Sequence, residues 1–190
     1  NNINVVKKNL KKDFLNKNIK SQGYLAEIYN TEFQNLLNLK GDTLMINNIY
    51  DQRNLGSILR AMVCFGIKNL LINKKIKLDN PLTFKSANGA TEQINYYRYT
   101  NQNSTLLKFR DDFDIFGIDL NGETNIKHLK RERDTILIVG DEEQGLKLNT
   151  KKKCDKIFNI PINAKYDSLN ISTALAISLY QFSLSRDSSS

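Results

Sequence analysis

A polar loop that leads into an apolar helix near the C-terminus is the segment best placed to do chemistry. Residues 160–172 leave an apolar run, cross a polar loop and enter a stretch of small and apolar side chains. Ser168, Asn170 and Ser172 place two hydroxyls and an amide at the predicted helix entrance, where they can cap backbone N–H groups or hold a ligand. Taken by itself, the segment fits a capped core helix as well as it fits a ligand site.

A second candidate site lies on a predicted helix over residues 54–65, directly after a strand and a polar turn. Its apolar positions recur with the period of an amphipathic helix, and a glycine ends it. Asn54 could cap this helix, Gly56 would allow close backbone approach, and Arg60 follows nearly two turns later. Asn54 and Arg60 could therefore converge on one polar site at the carboxyl end of a strand, where ligands bind in α/β sheets. The alternative is that Arg60 is a solvated surface residue.

A third candidate is the acidic loop that follows the apolar run 135–139. Gly140 and Gly145 flank this loop, which carries Asp141, Glu142 and Glu143. A strand that ends in a glycine-flanked loop is a common layout for a ligand site, although an acidic turn is the simpler interpretation. The carboxylates disfavour a phosphate ligand, and the pattern is neither GxGxxG nor a Walker motif. If the strands that end before Gly140 and at Ile160 are neighbours, the second and third motifs meet.

Strands and helices alternate from Thr43 onward, which predicts an α/β fold with a mainly parallel sheet flanked by helices. The last helix is apolar on nearly all sides, so we expect it to be buried, in part against another subunit. The predicted strands are 43–49, 68–72, 94–99, 114–120, 135–139 and 156–160. The predicted helices are 31–39, 54–65, 104–113 and 168–185.

Composition narrows the class of protein. The 190 residues suit one domain with a small appendage, and the net charge of +8 favours a polyanionic partner, although an AT-rich genome also enriches lysine. Two cysteines, Cys64 and Cys154, argue against a disulfide scaffold and for a reducing compartment. A single histidine argues against a zinc site or a histidine-based triad. No apolar run approaches a membrane span and no signal sequence is evident, so a cytoplasmic protein is expected.

Taken in order, the three segments resemble the three motifs of the SpoU (TrmH-like) branch of the SPOUT RNA methyltransferases. A segment resembling that family's SxGA stretch lies at 86–90, and the resemblance covers about residues 40–185. Ile162 and Ala164 stand where the family has Met and Gly. The matching positions are Asn54, Gly56 and Arg60 in the first motif, Gly140, Glu142 and Gly145 in the second, and Ile160, Pro161, Ser168, Leu169, Asn170 and Ser172 in the third.

The resemblance implies a 2′-O-ribose methyltransferase that uses S-adenosyl-L-methionine. It also implies a C-terminal deep trefoil knot that holds the cofactor, and a homodimer packed through the last helix. No metal is implied, because methyl transfer from a sulfonium depends above all on positioning. Arg60 would orient or activate the 2′-hydroxyl, supported by Asn54, Glu142, Ser168 and Asn170. The implied cofactor-binding residues are Gly140, Ile160, Leu169, Leu120 and Ser168.

The N-terminal 40 residues look different, because they are rich in lysine and poor in apolar residues. Residues 22–26 resemble a segment that precedes the catalytic domain in bacterial 23S rRNA 2′-O-methylguanosine enzymes. We therefore interpret 1–40 as a linker or a remnant of an RNA-binding domain, 41–186 as the catalytic domain and 187–190 as a disordered tail. The expected partner is RNA, with 23S rRNA favoured over tRNA.

Two other functions fit part of the pattern. A non-catalytic RNA-binding relative is conceivable because Ala164 could weaken the cofactor site. A nucleotide-dependent oxidoreductase would also use a doubly wound sheet, but the GxGxxG pattern expected after its first strand is missing. Binding of S-adenosyl-L-methionine separates the non-catalytic relative from the methyltransferase, and proteolysis, knot topology or a cofactor carried through purification separates the oxidoreductase.

Overall fold

A seven-stranded parallel sheet forms the centre of the molecule. The computed structural model describes residues 32–141, 144–163 and 168–185, and the predictions made for 1–31, for Glu142, for Ala164 and for the tail lie outside these ranges. The strands are β1 Thr43–Ile46, β2 Asn69–Asn73, β3 Asn95–Tyr99, β4 Asp114–Ile118, β5 Thr124–Asn125, β6 Thr135–Val139 and β7 Lys156–Asn159. The strand order is β3-β2-β1-β6-β4-β7-β5.

All neighbouring strands of this sheet run parallel, which confirms the predicted fold class. Leu44 in β1 lies opposite Leu70 in β2 and Leu137 in β6, and β4 lies between β6 and β7. Parallel pairing places the carboxyl ends of these strands at one edge, where α/β proteins bind ligands. The trefoil knot depends on a C-terminal path that includes residues 164–167, so it stays a prediction.

Helices cover both faces of the sheet, in keeping with continuous apolar strands such as β6, which is buried along its whole length. Alternate residues of β1 serve opposite faces: Leu44 and Ile46 pack on one side and Met45 on the other. The first side is covered by α1, α2 and α5, and the second by α3 and the loop before α4. The helices are α1 Gln52–Cys64, α2 Pro81–Ala87, α3 Gln102–Phe109, α4 Leu148–Lys151 and α5 Ile171–Leu184.

Several predicted boundaries need correction. Of the helix predicted over 31–39, the described part holds only a 3₁₀ turn at Leu36–Asn38. The first long helix begins before Asn54, because Asp51 is its cap and accepts a hydrogen bond from the Arg53 amide. The short helices α2 and α4 and the strand β5 were not predicted. For α2 the signals are present in the sequence, since Asn80 caps it and Pro81 occupies its first turn.

Gly56 does allow close backbone approach, but to a neighbouring helix. A Cβ atom at this position would lie 2.4 Å from the carbonyl oxygen of Thr83 and 2.6 Å from Cβ of Ser86. The glycine therefore lets α1 pack directly against α2, and this contact fixes where α1 starts relative to the sheet edge.

The end of α5 is held by a buried arginine. Arg131 donates from Nε to the carbonyl oxygen of Phe182 and to Oγ of Ser185, and its guanidinium stacks on the Phe182 ring at 4.0 Å. Its other arm pairs with Asp42, just before β1. This contact anchors the C-terminal helix to the sheet and so fixes its N-terminal end at the carboxyl edge. None of the helices in the described ranges is long and apolar enough to cross a bilayer.

Candidate functional site

A cavity of about 600 Å³ opens at the carboxyl edge of the sheet, and we refer to it as the β6 cavity. Four segments form it: the residues that follow β4, the loop after β6, the chain after β7 and the start of α5. It unites six residues that the sequence analysis assigned to the catalytic or cofactor-binding site, together with neighbours that were not assigned to it. The six are Leu120, Gly140, Ile160, Ser168, Leu169 and Asn170.

The sequence left open whether the strands that end before Gly140 and at Ile160 are neighbours, and the structure places β4 between them. The ends of β6 and β7 both reach the β6 cavity, but β4 lies between them, so the residues after β4 form its floor. The second and third motifs therefore meet across β4 rather than side by side.

The loop after β6 is a tight turn that only glycine permits at two positions. Asp141 and Gly145 exchange backbone hydrogen bonds of 3.1 and 3.0 Å, and Gly145 has a positive φ of 62°. A Cβ on Gly140 would lie 2.0 Å from the carbonyl carbon of Gly145. The glycines of the second motif thus shape the backbone that lines the β6 cavity.

Asp119, directly after β4, is a site residue that sequence reasoning missed. It is 8% exposed, and its Oδ2 accepts from the Leu146 amide at 2.8 Å, while Oδ1 accepts from the Asn121 amide at 2.9 Å and from Nζ of Lys151 at 2.8 Å. Burial raises the pKa of this carboxyl, but the Lys151 and backbone hydrogen bonds outweigh it and hold the pKa below its usual value. Asp119 is therefore ionised and holds the end of the loop after β6 through the Leu146 amide.

The loop is also held from the β1 side. Asn47 and Asn48 follow β1, and their side-chain amides donate to the two carboxylate oxygens of Asp141 at 3.1 Å each. The first acidic residue of the predicted motif is thus bound by protein donors in the folded chain. It has a structural part in the loop that the sequence alone did not suggest.

Asn170 joins the third motif to the first. Its Oδ1 accepts from the backbone amide of Ser172 at 2.9 Å and caps α5, which is one of the two roles that the sequence left open. Its Nδ2 donates to Oδ1 of Asn54 at 3.2 Å. Asn54 lies inside α1, so it does not cap that helix; it faces the start of α5 instead.

Arg60 does not share this position within one chain. Six residues of helix rotate a side chain by about 600°, so Arg60 leaves α1 about 120° away from Asn54 and about 9 Å further along. It lies on the exposed face of α1 and is not among the described residues that line the β6 cavity. The convergence of Asn54 and Arg60 on one site of the same chain therefore stays a prediction.

The lining of the β6 cavity suits an organic ligand of nucleoside size. Apolar side chains such as Ile118, Val139 and Ile160 alternate with strand-end backbone, and the lining cation Lys151 is already paired with Asp119. A volume of this order is typical of small-molecule sites. Among the described residues no group of His, Cys, Asp and Glu side chains could hold a metal ion.

Comparison with known proteins identifies the family. The model of the SpoU rRNA Methylase family matches residues 42–180, which include all of the strands and most of the cavity lining. The chain belongs to the SpoU rRNA methylase family. Within this family, the three motifs are the segments that meet at the β6 cavity and at the Asn54–Asn170 contact.

The chain is also similar in sequence to methyltransferases of other organisms. The chain is 32% identical over 181 residues to the 23S rRNA (guanosine-2′-O-)-methyltransferase RlmB of Coxiella burnetii, covering 90% of this chain and 72% of that protein. It is 32% identical over 145 residues to an uncharacterized tRNA/rRNA methyltransferase of Mycolicibacterium smegmatis, covering 75% of this chain and 46% of the relative. The chain thus spans about half the length of the Mycolicibacterium relatives that it matches.

Solved structures of SpoU methyltransferases share the fold. An AdoMet-bound rRNA methyltransferase from Sinorhizobium meliloti superposes with a TM-score of 0.72 at 19% identity, covering 79% of this chain and 60% of that one. The TrmH/SpoU tRNA modifying enzyme of A. aeolicus gives a TM-score of 0.69 at 24% identity, covering 77% and 76%.

Proposed function

We propose that this chain transfers a methyl group from S-adenosyl-L-methionine to the 2′-hydroxyl of a ribose in RNA. The observation that carries the proposal is the β6 cavity, to which the second and third motifs and the residues after β4 contribute a continuous lining. Bound there, S-adenosyl-L-methionine would supply an electrophilic methyl group on a sulfonium. The methyl group would pass from the sulfonium sulfur to O2′, the hydroxyl proton would pass to water, and S-adenosyl-L-homocysteine would remain.

In this proposal the protein holds and orients the two reactants. The backbone at Gly140, Ile160 and Leu169 holds the cofactor, together with Leu120 and Ser168, all of which line or border the β6 cavity. Asn54 and Asn170 form one amide pair at its rim. Such positioning is the main contribution that a protein can make to methyl transfer. Glu142 would complete the site from outside the described residues.

Arg60 is the residue that we propose acts on the 2′-hydroxyl. A guanidinium stays protonated, so Arg60 orients the hydroxyl or stabilises developing charge rather than removing the proton as a simple base. Because Arg60 is exposed and lies outside the cavity lining of its own chain, we propose that it serves the cavity of a second copy.

A homodimer through α5 would place two copies in that relation. Ile177, Tyr180 and Leu184 are 39%, 53% and 60% exposed on this helix, and the Tyr180 ring packs edge-on against Phe65 of α1. An apolar face of this kind is typical of an interface. Light scattering at micromolar concentration should give twice the monomer mass; a stable monomer contradicts the dimer.

The proposed substrate is ribosomal RNA, with tRNA as the second possibility. The Coxiella relative is named as a 23S rRNA enzyme, and the net charge of +8 suits a polyanion. The lysine-rich residues 1–20 would add salt-dependent contacts to phosphates. An RNA substrate and two free cysteines agree with the expected cytoplasmic location.

Substitution of Arg60 tests the proposal. Arg60→Ala should abolish methyl transfer from tritiated S-adenosyl-L-methionine to RNA and leave cofactor affinity unchanged, and Arg60→Lys should also fail because it lacks the planar fork. Arg53→Ala removes another exposed arginine of α1 and serves as the matched control. Near wild-type turnover of Arg60→Ala would show that Arg60 has no catalytic part. A wild-type protein that binds RNA but no cofactor would identify a non-catalytic relative.

Mixed dimers test the exchange of Arg60 between copies. Arg60→Ala and Asn170→Ala should each be inactive alone, because each lacks one half of every site. In a mixed dimer one site keeps both residues, so mixing should restore up to a quarter of wild-type turnover. No recovery in dimers shown to be mixed would place Arg60 and Asn170 in the same site of one chain.

A further inference from the structure

A second cavity, of about 680 Å³, lies on the same edge of the sheet, beside the β6 cavity. It is formed by the last residue of β2, by residues that follow β1 and β3, by the first turn of α3 and by the start of α4 with the loop before it. Seven of its twelve lining residues are Asn or Gln, and we call it the amide cavity. The family motifs contribute only Gln144 to it, so the proposed reaction does not account for it.

The side chains of the amide cavity are suited to recognising a nucleobase through hydrogen bonds. A side-chain amide offers a donor and an acceptor side by side, which is the pattern that pairs with the edges of nucleobases. Among the described residues that line it there is no carboxylate, and the charged one is Lys147, which can approach a phosphate. Leu148 borders the mouth of the cavity and is 76% exposed, so it offers an apolar surface to the face of a base.

One residue that lines the cavity has an unsatisfied hydrogen-bond acceptor. Oδ1 of Asn103 is buried, and no described group donates a hydrogen bond to it. An unpaired buried carbonyl is unfavourable. The terminal torsion of an asparagine is soft, so the Asn103 amide can turn toward the cavity when a donor is bound there. Each of the four RNA bases carries an N–H donor on its Watson–Crick edge.

Other amides of the cavity are already held in place. Tyr99 is buried, and its hydroxyl donates a hydrogen bond of 3.1 Å to Oδ1 of Asn47. Nδ2 of Asn47 in turn donates to the carboxylate of Asp141. Asn101 caps α3 by accepting from the Ser104 amide. The cavity is therefore preorganised, which lowers the entropy cost of binding.

The amide cavity is joined to the β6 cavity by shared residues. Gln144 lines both, and Asp141, which lines the β6 cavity, is hydrogen-bonded to Asn47, which lines the amide cavity. A ligand that reaches from one cavity to the other must be longer than one nucleoside. An RNA strand has that form, since its unstacked bases can be splayed into separate pockets.

We propose that the amide cavity binds the base of a nucleotide adjacent to the ribose at the β6 cavity. This assignment rests on the proposed function, and it makes the amide cavity a determinant of which RNA sequence is methylated. The base pairs with side-chain amides that include Asn103, and Leu148 covers its face.

Nucleotide binding tests the assignment without relying on catalysis. The four 5′-nucleoside monophosphates and ribose 5-phosphate are titrated into the full chain by NMR, with saturating S-adenosyl-L-homocysteine to occupy the β6 cavity. At least one nucleotide should bind tenfold more tightly than ribose 5-phosphate and shift the Asn103 side-chain amide signals. Asn103→Leu, which keeps the approximate size and removes the amide, should weaken that binding at least tenfold.

Two further variants keep the test decisive. Leu148→Ser changes an exposed residue, so it should fold normally and weaken base binding severalfold. Asn38→Leu makes the same exchange as Asn103→Leu on an exposed surface outside the cavity and should change nothing. Equal binding of ribose 5-phosphate and all four nucleotides up to 10 mM, or undiminished binding by both Asn103→Leu and Leu148→Ser, overturns the assignment.

Methyl transfer to RNA, measured in parallel, separates this inference from the proposed function. An active wild-type enzyme whose specificity constant for RNA is unchanged by Asn103→Leu would overturn the amide cavity alone. Base-dependent binding at Asn103 in a protein that methylates no RNA would support the cavity and overturn the proposed reaction.

Discussion

The two cavities at the carboxyl edge of one sheet are built in different ways. The β6 cavity is shaped by backbone: two glycines tighten its loop, and a buried carboxylate fastens that loop to β4. The amide cavity is shaped by side chains, most of them Asn or Gln on segments that carry none of the family motifs apart from Gln144. In the proposed function, the contrast is a division of labour in which the backbone-built cavity binds a constant cofactor and the amide cavity reads a variable polymer.

Removal of the Asp119 carboxylate should have the largest effect on stability. Asp119→Ala leaves Lys151 and the amides of Leu146 and Asn121 without their acceptor. We expect a loss of about 3 kcal/mol in the free energy of unfolding, since breaking a buried pair costs about 3–5 kcal/mol and Lys151 is partly exposed. Urea denaturation measures the loss.

An exposed ion pair provides the control for Asp119. Asp114 pairs with Arg133, whose side chain is 46% exposed, at the opposite edge of the sheet. Asp114→Ala should cost less than about 1 kcal/mol, as is usual for exposed pairs. Equal losses for Asp114→Ala and Asp119→Ala would show that the buried carboxylate has no special part in the β6 cavity.

Gly140→Ala should disable the β6 cavity. The added Cβ would overlap backbone atoms of Gly145, so the loop must move. We expect the affinity for S-adenosyl-L-homocysteine, measured by calorimetry, to fall more than tenfold. Gly66→Ala is the control: it adds strain at a positive φ but meets no atom within 4 Å, so cofactor affinity should stay unchanged. Tight binding by Gly140→Ala would mean that the loop does not contact the cofactor.

Acid should reduce the stability that the Asp119 carboxylate provides. The pKa of this carboxyl is lower in the folded chain than the ordinary value of 3.8, so its stabilisation is fully present above about pH 5 and is lost as the pH falls through the folded-state pKa. The stability difference between the wild type and Asp119→Asn should therefore shrink between pH 5 and pH 2. A difference that stays constant over this range would contradict an ionised, hydrogen-bonded Asp119.

Thiol labelling gives the mildest test of the packing below the β6 cavity. Burial, with the nearby charges of Asp155 and Asp119, raises the pKa of Cys154 to about 12, whereas Cys64 is exposed. Iodoacetamide at pH 8 should label Cys64 and leave Cys154 unmodified in the native protein. The Cys64→Ser variant should then take up no label, and rapid labelling of Cys154 would indicate an open floor.

Local signals carried much of the fold in the sequence. The strand β6 was predicted with its observed bounds, because an apolar run stands between a charged segment and a glycine. Capping was one of two roles that the sequence left open for Ser168, Asn170 and Ser172, and α1 and α5 were predicted within three residues of their observed ends. The short helices α2 and α4 were missed because seven and four residues are too few to display a period.

The site residues whose positions depend on strand order could not be predicted from the sequence. Asp119 acts at the β6 cavity because β4 lies between β6 and β7, and no local pattern reveals that pairing. The amide cavity depends in the same way on β1, β2 and β3 ending side by side. The separation of Asn54 and Arg60 was accessible, since the helical period alone turns them apart. The family motifs thus located the β6 cavity, whose shape is set by backbone, but they did not indicate the amide cavity, whose shape is set by side chains.

The nucleoside formed in RNA tests the central claim most directly. RNA transcribed in vitro from the ribosomal RNA genes of the source organism is incubated with the protein and S-adenosyl-L-methionine carrying a CD₃ group, digested to nucleosides and analysed by mass spectrometry. We predict a 2′-O-CD₃ nucleoside with the label on the ribose fragment, formed by the wild type and not by Gly140→Ala or Arg60→Ala. A label on the base fragment, or no label from a protein that binds the cofactor and this RNA, would contradict the account.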